Sequence, residues 1–362
     1  MLLLLHGVKV LVTGATGFIG RSVVRRLAGD GAEVRAFARD TVAAEKLFGG
    51  ASSSASVRLH AGSIGDPNEV ARAAKGVDVV IHAAAVPTHR ASPRALSWTN
   101  VAGTENVLNA ARHAGCARVV HISCADVTLA NLDRVNWNED RAPQTRPIDA
   151  HARTKLLAEE LALAMSTDDL AVAAIRPAWI WGPDDTTILP GLCREALEDR
   201  GLKLIGGGRT LVSTTYIDNL VDAVTAAMTA EKARGRAYYV TDSEFVEMRE
   251  LLGELSKTLG LPAPRTGLPY DVAYALASVR ERMNRPGPWR TDVIHRGRGT
   301  LFDSTRAMNE LDYKARVGMT EGMKRLEAWA REVGGPVAIA KMERPPATDA
   351  SVDAQVRTAD AT

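Results

Sequence analysis

The chain has 362 residues and a net charge of +2, and 46% of its residues are hydrophobic. This length exceeds a typical single domain, and the apolar content is ample for a large core. The nearly balanced charge, with arginines and aspartates scattered along the chain, gives no basic patch and argues against a nucleic-acid partner. Three widely spaced cysteines, Cys116, Cys124 and Cys193, form neither a disulfide framework nor a metal cluster and suit a reducing, cytoplasmic compartment.

The chain opens on Met1, four leucines and His6. A secretory signal also needs a basic leading region and a small-residue cleavage site, and both are missing here. We therefore expect an extension of the first strand or a loose terminus. No uncharged apolar run reaches the roughly 18 residues that cross a bilayer, so no membrane span is predicted.

A glycine-rich segment, VTGATGFIG at residues 12–20, follows an apolar run that predicts a buried strand. A predicted helix (residues 21–28) and a second strand (residues 33–38) complete a βαβ unit. Such a turn lets backbone N–H groups approach a pyrophosphate at the helix N-terminus, where the helix dipole favours negative charge. We expect the dinucleotide-binding residues of this segment to be Gly14, Thr16, Gly17, Phe18, Ile19 and Gly20.

The first half of the chain continues as alternating strands and helices. Continuous apolar strands of this kind indicate a parallel sheet covered on both faces, which is a doubly wound Rossmann fold. The further predicted strands are 57–61, 77–82, 118–123 and 171–175, and the predicted helices are 69–75, 102–114 and 152–165.

After Pro177 the pattern is broken by glycines and prolines. We assign residues 1–176 to a dinucleotide-binding domain, residues 177–335 to a smaller mixed α/β substrate lobe, and residues 336–362 to a disordered tail. Residues 238–240 are expected to return to the main sheet. An amphipathic stretch at 271–283, whose apolar face would be made by Val272, Tyr274, Ala275, Leu276 and Val279, is expected to be a packing helix in preference to a membrane contact.

These segments together resemble the extended short-chain dehydrogenases/reductases over roughly residues 8 to 332. Within that family the chain is most similar to the 3-beta-hydroxysteroid and sterol-carboxylate dehydrogenases and to bacterial 3-oxoacid reductases. Besides the glycine segment, the resemblance rests on VIHAAA (80–85), NVAGT (100–104), IRPAWIWGP (175–183), GGGRTLV (206–212), YIDNL (216–220), AYYVTD (237–242) and LPYDVAY (268–274).

The identity of the cofactor depends on the end of the second strand. A site that prefers NAD usually has an acid about 20 residues beyond the glycine turn, on the ribose hydroxyls. Here that place falls at Ala38, followed by Arg39, and an arginine binds a 2′-phosphate by charge-assisted hydrogen bonds. NADP is therefore favoured, with NAD left open, and Asp40 is expected to be a cap. The resemblance adds Ala83, Ala84, Lys155 and Pro177 as cofactor contacts.

The resemblance also implies a tyrosine and a lysine four residues apart on one helix, with a serine or threonine at the end of the preceding strand. This chain has His151 and Lys155 at the paired positions and Cys124 at the third, so two of the three catalytic residues differ. A neutral imidazole can donate and accept protons near neutral pH, whereas a thiol is a weak donor. Ser123 could replace Cys124 if the strand ends before it.

Two classes of function remain open. The first is an NAD(P)H-dependent reductase or dehydrogenase that interconverts a ketone and a secondary alcohol on a small apolar, sterol-like or secondary-metabolite substrate. The second is a cofactor-binding protein without redox turnover, or a non-redox epimerase or lyase of the same fold. We expect no metal, peripheral membrane contact at most, and a homodimer.

Overall fold

A computed structural model describes residues 5–49, 56–86, 91–141, 147–283, 285, 288–342 and 352. The strands of this part of the chain are β1 (Lys9–Thr13), β2 (Glu33–Ala38), β3 (Val57–Ala61), β4 (Val79–His82), β5 (Arg118–Ile122), β6 (Arg134–Trp137), β7 (Ala171–Pro177), β8 (Trp179–Trp181), β9 (Lys203–Leu204), β10 (Leu211–Val212), β11 (Thr214–Tyr216), β12 (Arg236–Val240), β13 (Val246–Glu247), β14 (Arg265–Thr266) and β15 (Thr300–Phe302).

The helices cover both faces of the main sheet and build most of the second lobe. In chain order they are α1 (Phe18–Gly29), α2 (Thr41–Phe48), α3 (Pro67–Ala74), α4 (Pro93–Leu96), α5 (Gly103–His113), α6 (Ala150–Ala164), α7 (Leu189–Glu198), α8 (Ile217–Ala227), α9 (Met248–Thr258), α10 (Tyr270–Arg282), α11 (Arg290–Gly297), α12 (Thr305–Leu311), α13 (Met319–Glu332) and α14 (Gly335–Ala340). A π-helical turn at Ser97–Ala102 joins α4 to α5, and a 3₁₀ turn at Ala125–Thr128 follows β5.

The main sheet has seven parallel strands in the order β12-β7-β5-β4-β1-β2-β3. Its central strands β1, β4, β5 and β7 are buried. In β1, Val10 and Val12 belong to one hydrophobic cluster and Leu11 to the other, so both faces of this strand are covered. The predicted doubly wound α/β fold is confirmed. This order brings the C-terminal ends of β1, β4, β5 and β7 to one edge, where ligands bind in open α/β sheets.

The last strand of the main sheet comes from the second half of the chain. β12 pairs in parallel with β7, from Arg236 opposite Ala173 to Val240 opposite Pro177. The rest of the second half forms most of a smaller mixed lobe with a four-stranded sheet, β13-β10-β15-β6, in which β10 pairs antiparallel with β13 and parallel with β15. The edge strand of this sheet, β6, comes from the first half of the chain.

The start of the expected tail is ordered. Residues 335–340 form α14, which packs against α7, and the side chain of Ile339 is fully buried in the main core. Disorder is expected from the sequence because the segment continues into Pro345, Pro346 and an end rich in threonine, alanine and aspartate. Ile339 and the helix against which it packs supply the apolar contact that a helix as short as α14 needs. Residues 343–351 and 353–362 lie outside the described residues.

The apolar face of α10 does not pack as expected. Val272, Leu276 and Val279 are 47%, 43% and 55% exposed, and Ala277 is the residue of α10 that is buried. Of the predicted face, Tyr274 packs inward, against a small cluster that includes Ile294 of the neighbouring helix α11. Within the described ranges, the helices are too short or too polar to cross a membrane.

Candidate functional site

The glycine segment forms a tight turn between β1 and α1. Gly14 has a φ of 68°, and a Cβ on it would lie 2.7 Å from the Cα of Ala84. A Cβ on Gly20 would lie 2.1 Å from the carbonyl oxygen of Gly14. Only glycine fits both places, so the turn packs directly against Ala83 and Ala84, the segment that follows β4.

The N-terminus of α1 favours the binding of an anion. Its N-cap is Gly17, which supplies no side-chain cap, and the first turn contains no acid. Arg21 donates to the carbonyl oxygens of Thr16 and Gly17 at 3.1 and 3.3 Å, which fixes the turn. The N–H groups of Phe18 and Ile19 begin the helix, so the residues present fit the pyrophosphate of a dinucleotide.

Two buried histidines lie behind this turn. The ring of His82 bridges the hydroxyls of Thr13 and Thr104 at 2.7 and 2.9 Å, and Thr13 also accepts from the N–H of Ala84. Burial, with a smaller contribution from Lys155, lowers the pKa of His82 to about 3, so the ring is neutral. His121 is equally buried and its pKa is also lowered by burial. Both side chains are buried in the core.

The end of β2 carries the residues that bear on cofactor choice. Ala38 is the last residue of β2, Arg39 follows it and is exposed, and Asp40 caps α2 by accepting from the N–H of Ala43 at 2.8 Å. Asp40 is therefore occupied as a cap. Ser63, in the turn after β3, accepts from the N–H of Gly65 at 3.2 Å.

The paired positions His151 and Lys155 lie on the first turns of α6. Asp149 caps this helix by accepting from the N–H of Ala152 at 2.7 Å. Residues four apart share one helix face, so His151 and Lys155 point to the same side. The Nζ of Lys155 is buried and donates to the carbonyl oxygen of Ile122, the last residue of β5, at 2.6 Å. Burial lowers the pKa of Lys155.

Ser123 and Cys124 follow directly after β5. Ser123 is buried, its N–H donates to the carbonyl oxygen of Ile175 at 2.8 Å, and its Oγ has no hydrogen-bond partner among the described residues. Cys124 is half-buried, and burial together with the charge of Asp126 raises its pKa to about 12. Its thiol is therefore neutral. Lys155, Ser123 and Cys124 meet at the end of β5, and Pro177 ends the neighbouring strand β7.

Two residues at this edge were not found from the sequence. Asp126, in the 3₁₀ turn after β5, lies 3.1 Å from the Nε2 of His295 on α11, and both side chains are about 30% exposed (28% and 32%). Burial alone would raise the pKa of Asp126, but His295, Arg134 and His151 outweigh it and hold that pKa well below its usual range. Burial disfavours the protonated form of His295, but the neighbouring Asp126 stabilises it, so the pKa of His295 is raised.

Helix α11 connects the second lobe to the start of α6. The hydroxyl of Thr291 donates to Asp149 at 3.0 Å, and Ile294 packs with Leu129 and Ala152. The first turn of α6, which carries His151, is therefore next to α11, and α6 also packs against the turn after β5. None of the signals read from the sequence links these elements, since Asp126 and His295 are 169 residues apart.

Several large side chains of the second half of the chain pack in the core. Trp181 is buried in the main core, where its ring meets Tyr216 edge-on at a centroid distance of 4.9 Å, together with Leu189 and Leu192. Trp181 and Tyr216 lie on the paired strands β8 and β11, whereas Leu189 and Leu192 lie on α7. Tyr270 donates to Asn131 on the lobe surface.

The known proteins that this chain resembles include dehydrogenases, reductases and an NAD-binding protein. Residues 11–270 match the model of the 3-beta hydroxysteroid dehydrogenase/isomerase family. The chain is 33% identical to a 2-alkyl-3-oxoalkanoate reductase of Stenotrophomonas maltophilia, over 88% of this chain and 98% of that protein. It is 31% identical to a 4-hydroxy-2-methyl-3-oxo-4-farnesyl-3,4-dihydroquinoline-1-oxide ketoreductase of Stigmatella aurantiaca, over 88% and 95%. Among solved structures, MoeE5 in complex with UDP-glucose and NAD is 26% identical with a TM-score of 0.69, covering 90% of this chain and 99% of MoeE5.

Proposed function

Because the chain belongs to the 3-beta hydroxysteroid dehydrogenase/isomerase family and is an NAD(P)-dependent oxidoreductase, we propose that it reduces a ketone to a secondary alcohol on an apolar substrate. The observation that carries this proposal is the meeting of His151, Lys155 and the end of β5 beside the glycine turn. That arrangement brings a proton donor, a cation and a dinucleotide cradle to one edge of the sheet.

The proposed chemistry divides between cofactor and protein. A bound reduced nicotinamide would supply the hydride that adds to the carbonyl carbon. The carbonyl π electrons pass to the oxygen, which takes a proton from the imidazolium of His151 and leaves a neutral imidazole that solvent reprotonates. Lys155 binds the ribose, and the thiol of Cys124 or the hydroxyl of Ser123 orients the carbonyl oxygen.

NADPH is the proposed cofactor. Ala38 supplies no carboxylate for the adenosine ribose, Asp40 is occupied as a cap, and Arg39 is exposed at the strand end where a 2′-phosphate would lie. The related structure of MoeE5 was solved with NAD. A direct comparison of NADPH and NADH as cofactors therefore tests this choice.

The proposed substrate is a ketone that carries a long alkyl or prenyl group. The two relatives above act, by their names, on a 2-alkyl-3-oxoalkanoate and on a farnesylated 3-oxo-dihydroquinoline. Both names place an apolar chain next to the reacting carbonyl. An alternative is cofactor binding without redox turnover, which the replacement of the expected tyrosine by His151 supports.

The test measures oxidation of NADPH and of NADH by the purified protein with 2-alkyl-3-oxoacids of increasing chain length, prenylated quinolone ketones and steroid ketones. We expect turnover with NADPH on a long-chain ketone and a loss of about 10²-fold or more in His151→Ala, the usual contribution of a general acid. Fluorescence titration shows whether that variant still binds NADPH. Unchanged turnover in His151→Ala removes His151 from the mechanism, and NADPH binding without turnover on any ketone favours the alternative.

A further inference from the structure

Three titratable groups from three separate elements converge at the proposed acid. Asp126 comes from the turn after β5, His151 from the first turn of α6, and His295 from α11. His295 lies 3.1 Å from Asp126, and α6 packs against the turn that holds Asp126. In keeping with this packing, the charge of His151 is one of those that lower the pKa of Asp126. An electrostatic interaction of this kind is reciprocal, so Asp126 stabilises the protonated form of His151 equally.

His151 needs such a partner to act as an acid. The positive end of the α6 dipole and the ammonium of Lys155, one turn further on, both disfavour a cation at this position. The neighbouring Cys124 is neutral and offers no compensation. Both carboxylate oxygens of Asp149 are already engaged, by the N–H of Ala152 and the hydroxyl of Thr291.

Asp126 is suited to compensate because it stays ionised. Arg134 on β6 is a second cation that acts on Asp126, in addition to His295. Its guanidinium is buried under the same turn and donates to the carbonyl oxygen of Ala125 and the hydroxyl of Thr128. Arginine stays protonated across the physiological pH range, so the contribution of Arg134 to the lowered pKa of Asp126 does not depend on pH. His295, by contrast, changes its charge with pH, with a pKa that Asp126 raises, and it partly cancels the field of Asp126 when it is protonated.

We infer that Asp126 and His295 are positioning residues that set the protonation state of His151, with Asp126 favouring its protonated form and His295 opposing it. This inference rests on the proposed role of His151 as the proton donor. It assigns to α11, an element of the substrate lobe, a direct influence on the acid at the edge of the Rossmann sheet. The charged and titratable groups that bear on His151 among the described residues are then Lys155 and Asp149 on α6, Cys124 and Asp126 after β5, Arg134 on β6, and His295 on α11.

The test is a histidine NMR titration of the full chain, with His151→Gln used to assign the resonance. We expect Asp126→Asn to lower the pKa of His151 by about one unit, as a single charge at short range does in a partly solvated site. We expect His295→Gln to raise it. The matched control is His113→Gln, which removes an exposed imidazole on α5 that contacts Asn109, and should leave the titration unchanged.

The same variants give a second readout in the pH dependence of ketone reduction. Since the reaction needs protonated His151, the alkaline limb of kcat/KM moves to lower pH in Asp126→Asn and to higher pH in His295→Gln. A purely structural role would lower activity at all pH values without moving the limb in opposite directions. If Asp126→Asn fails to fold, the partly exposed His295→Gln decides alone.

Two results overturn the inference: a His151 titration that moves by less than about 0.2 units in both variants, or movement in the same direction in both. The titration needs no turnover, so it separates this inference from the proposed function. If the titration shifts as expected but His151→Ala reduces ketones normally, then the pair acts on His151 and the proposed catalytic role of His151 fails.

Discussion

Cys124 shows how one atom can limit a site. It stands where a hydroxyl is expected, and its raised pKa keeps it a neutral thiol. A thiol is a weaker hydrogen-bond donor than a hydroxyl and a larger one, so it orients a carbonyl oxygen less well. In the proposed mechanism, ketone reduction therefore depends more heavily on His151 than it would with a serine at position 124.

Replacing the sulfur by oxygen tests this reading. We expect Cys124→Ser to retain ketone reduction or to increase kcat by up to about tenfold, since the hydroxyl is the better donor. Cys124→Ala and Ser123→Ala are the controls that show which of the two residues contacts the substrate oxygen. A large loss in Cys124→Ser, with NADPH binding intact, would show that the thiol itself is required.

At this scale the sequence predicts only part of the site. His151 and Lys155 are identified through the family resemblance, because they occupy the paired positions that the family places four residues apart on one helix. The contact between Asp126 and His295 is not visible, since nothing in the sequence near either residue depends on the other. The buried Arg134 is equally hidden, because its neighbours come from the turn after β5 and from Phe302 on β15.

At the scale of elements, the turn from β1 to α1 is the most constrained part of the fold. Gly14 combines a positive φ with backbone atoms of the β4 segment at contact distance. A side chain there must displace Ala83 and Ala84, which are proposed cofactor contacts. The constraint therefore couples folding and cofactor binding at one residue.

We expect Gly14→Ala to lower the free energy of unfolding by about 2 kcal/mol or more and to weaken NADPH binding, because the strained φ and the clash add. Gly29→Ala, at the end of α1, is the matched control. A Cβ there meets no atom within 4 Å, and alanine favours a helix, so stability should be unchanged or rise by up to about 1 kcal/mol. Denaturant unfolding and fluorescence titration measure both variants. Equal effects of the two substitutions would contradict the steric argument.

Long helices and strands with a regular hydrophobic pattern are predicted from the sequence better than short ones. The long apolar strands of the main sheet are predicted within a few residues. Two-residue strands such as β9 and β14 carry no period and are set by their pairing with each other. The stretch at α10 has an apolar face, but the packing of Tyr274 and Ala277 on α11 decides which side is buried.

At the scale of the whole molecule, the pair of Asp126 and His295 links the two lobes and makes their contact depend on pH. The raised pKa of His295 means that its contribution to stability is complete below the unfolded value of about 6.5 and is lost as the pH rises through the folded value. The lowered pKa of Asp126 means that its contribution is present above about pH 4 and is lost on acidification.

We therefore expect the difference in melting temperature between the native chain and His295→Gln to be largest near pH 5 to 6 and to shrink toward pH 9. Both side chains are partly exposed, so the difference corresponds to about 1 kcal/mol or less. Differential scanning calorimetry across that range measures it. A difference independent of pH would show that the imidazole contributes packing rather than charge.

The return of β12 to the main sheet has a consequence for biosynthesis. Fifty-eight residues separate the end of β7 at Pro177 from the start of β12 at Arg236, which a ribosome adds in about 3 to 12 s. Throughout that interval the nascent chain exposes the unpaired edge of β7, a row of free N–H and C=O groups that can recruit another strand. A chain truncated near residue 176 would keep that edge permanently, so we expect it to aggregate instead of folding as an autonomous cofactor-binding unit.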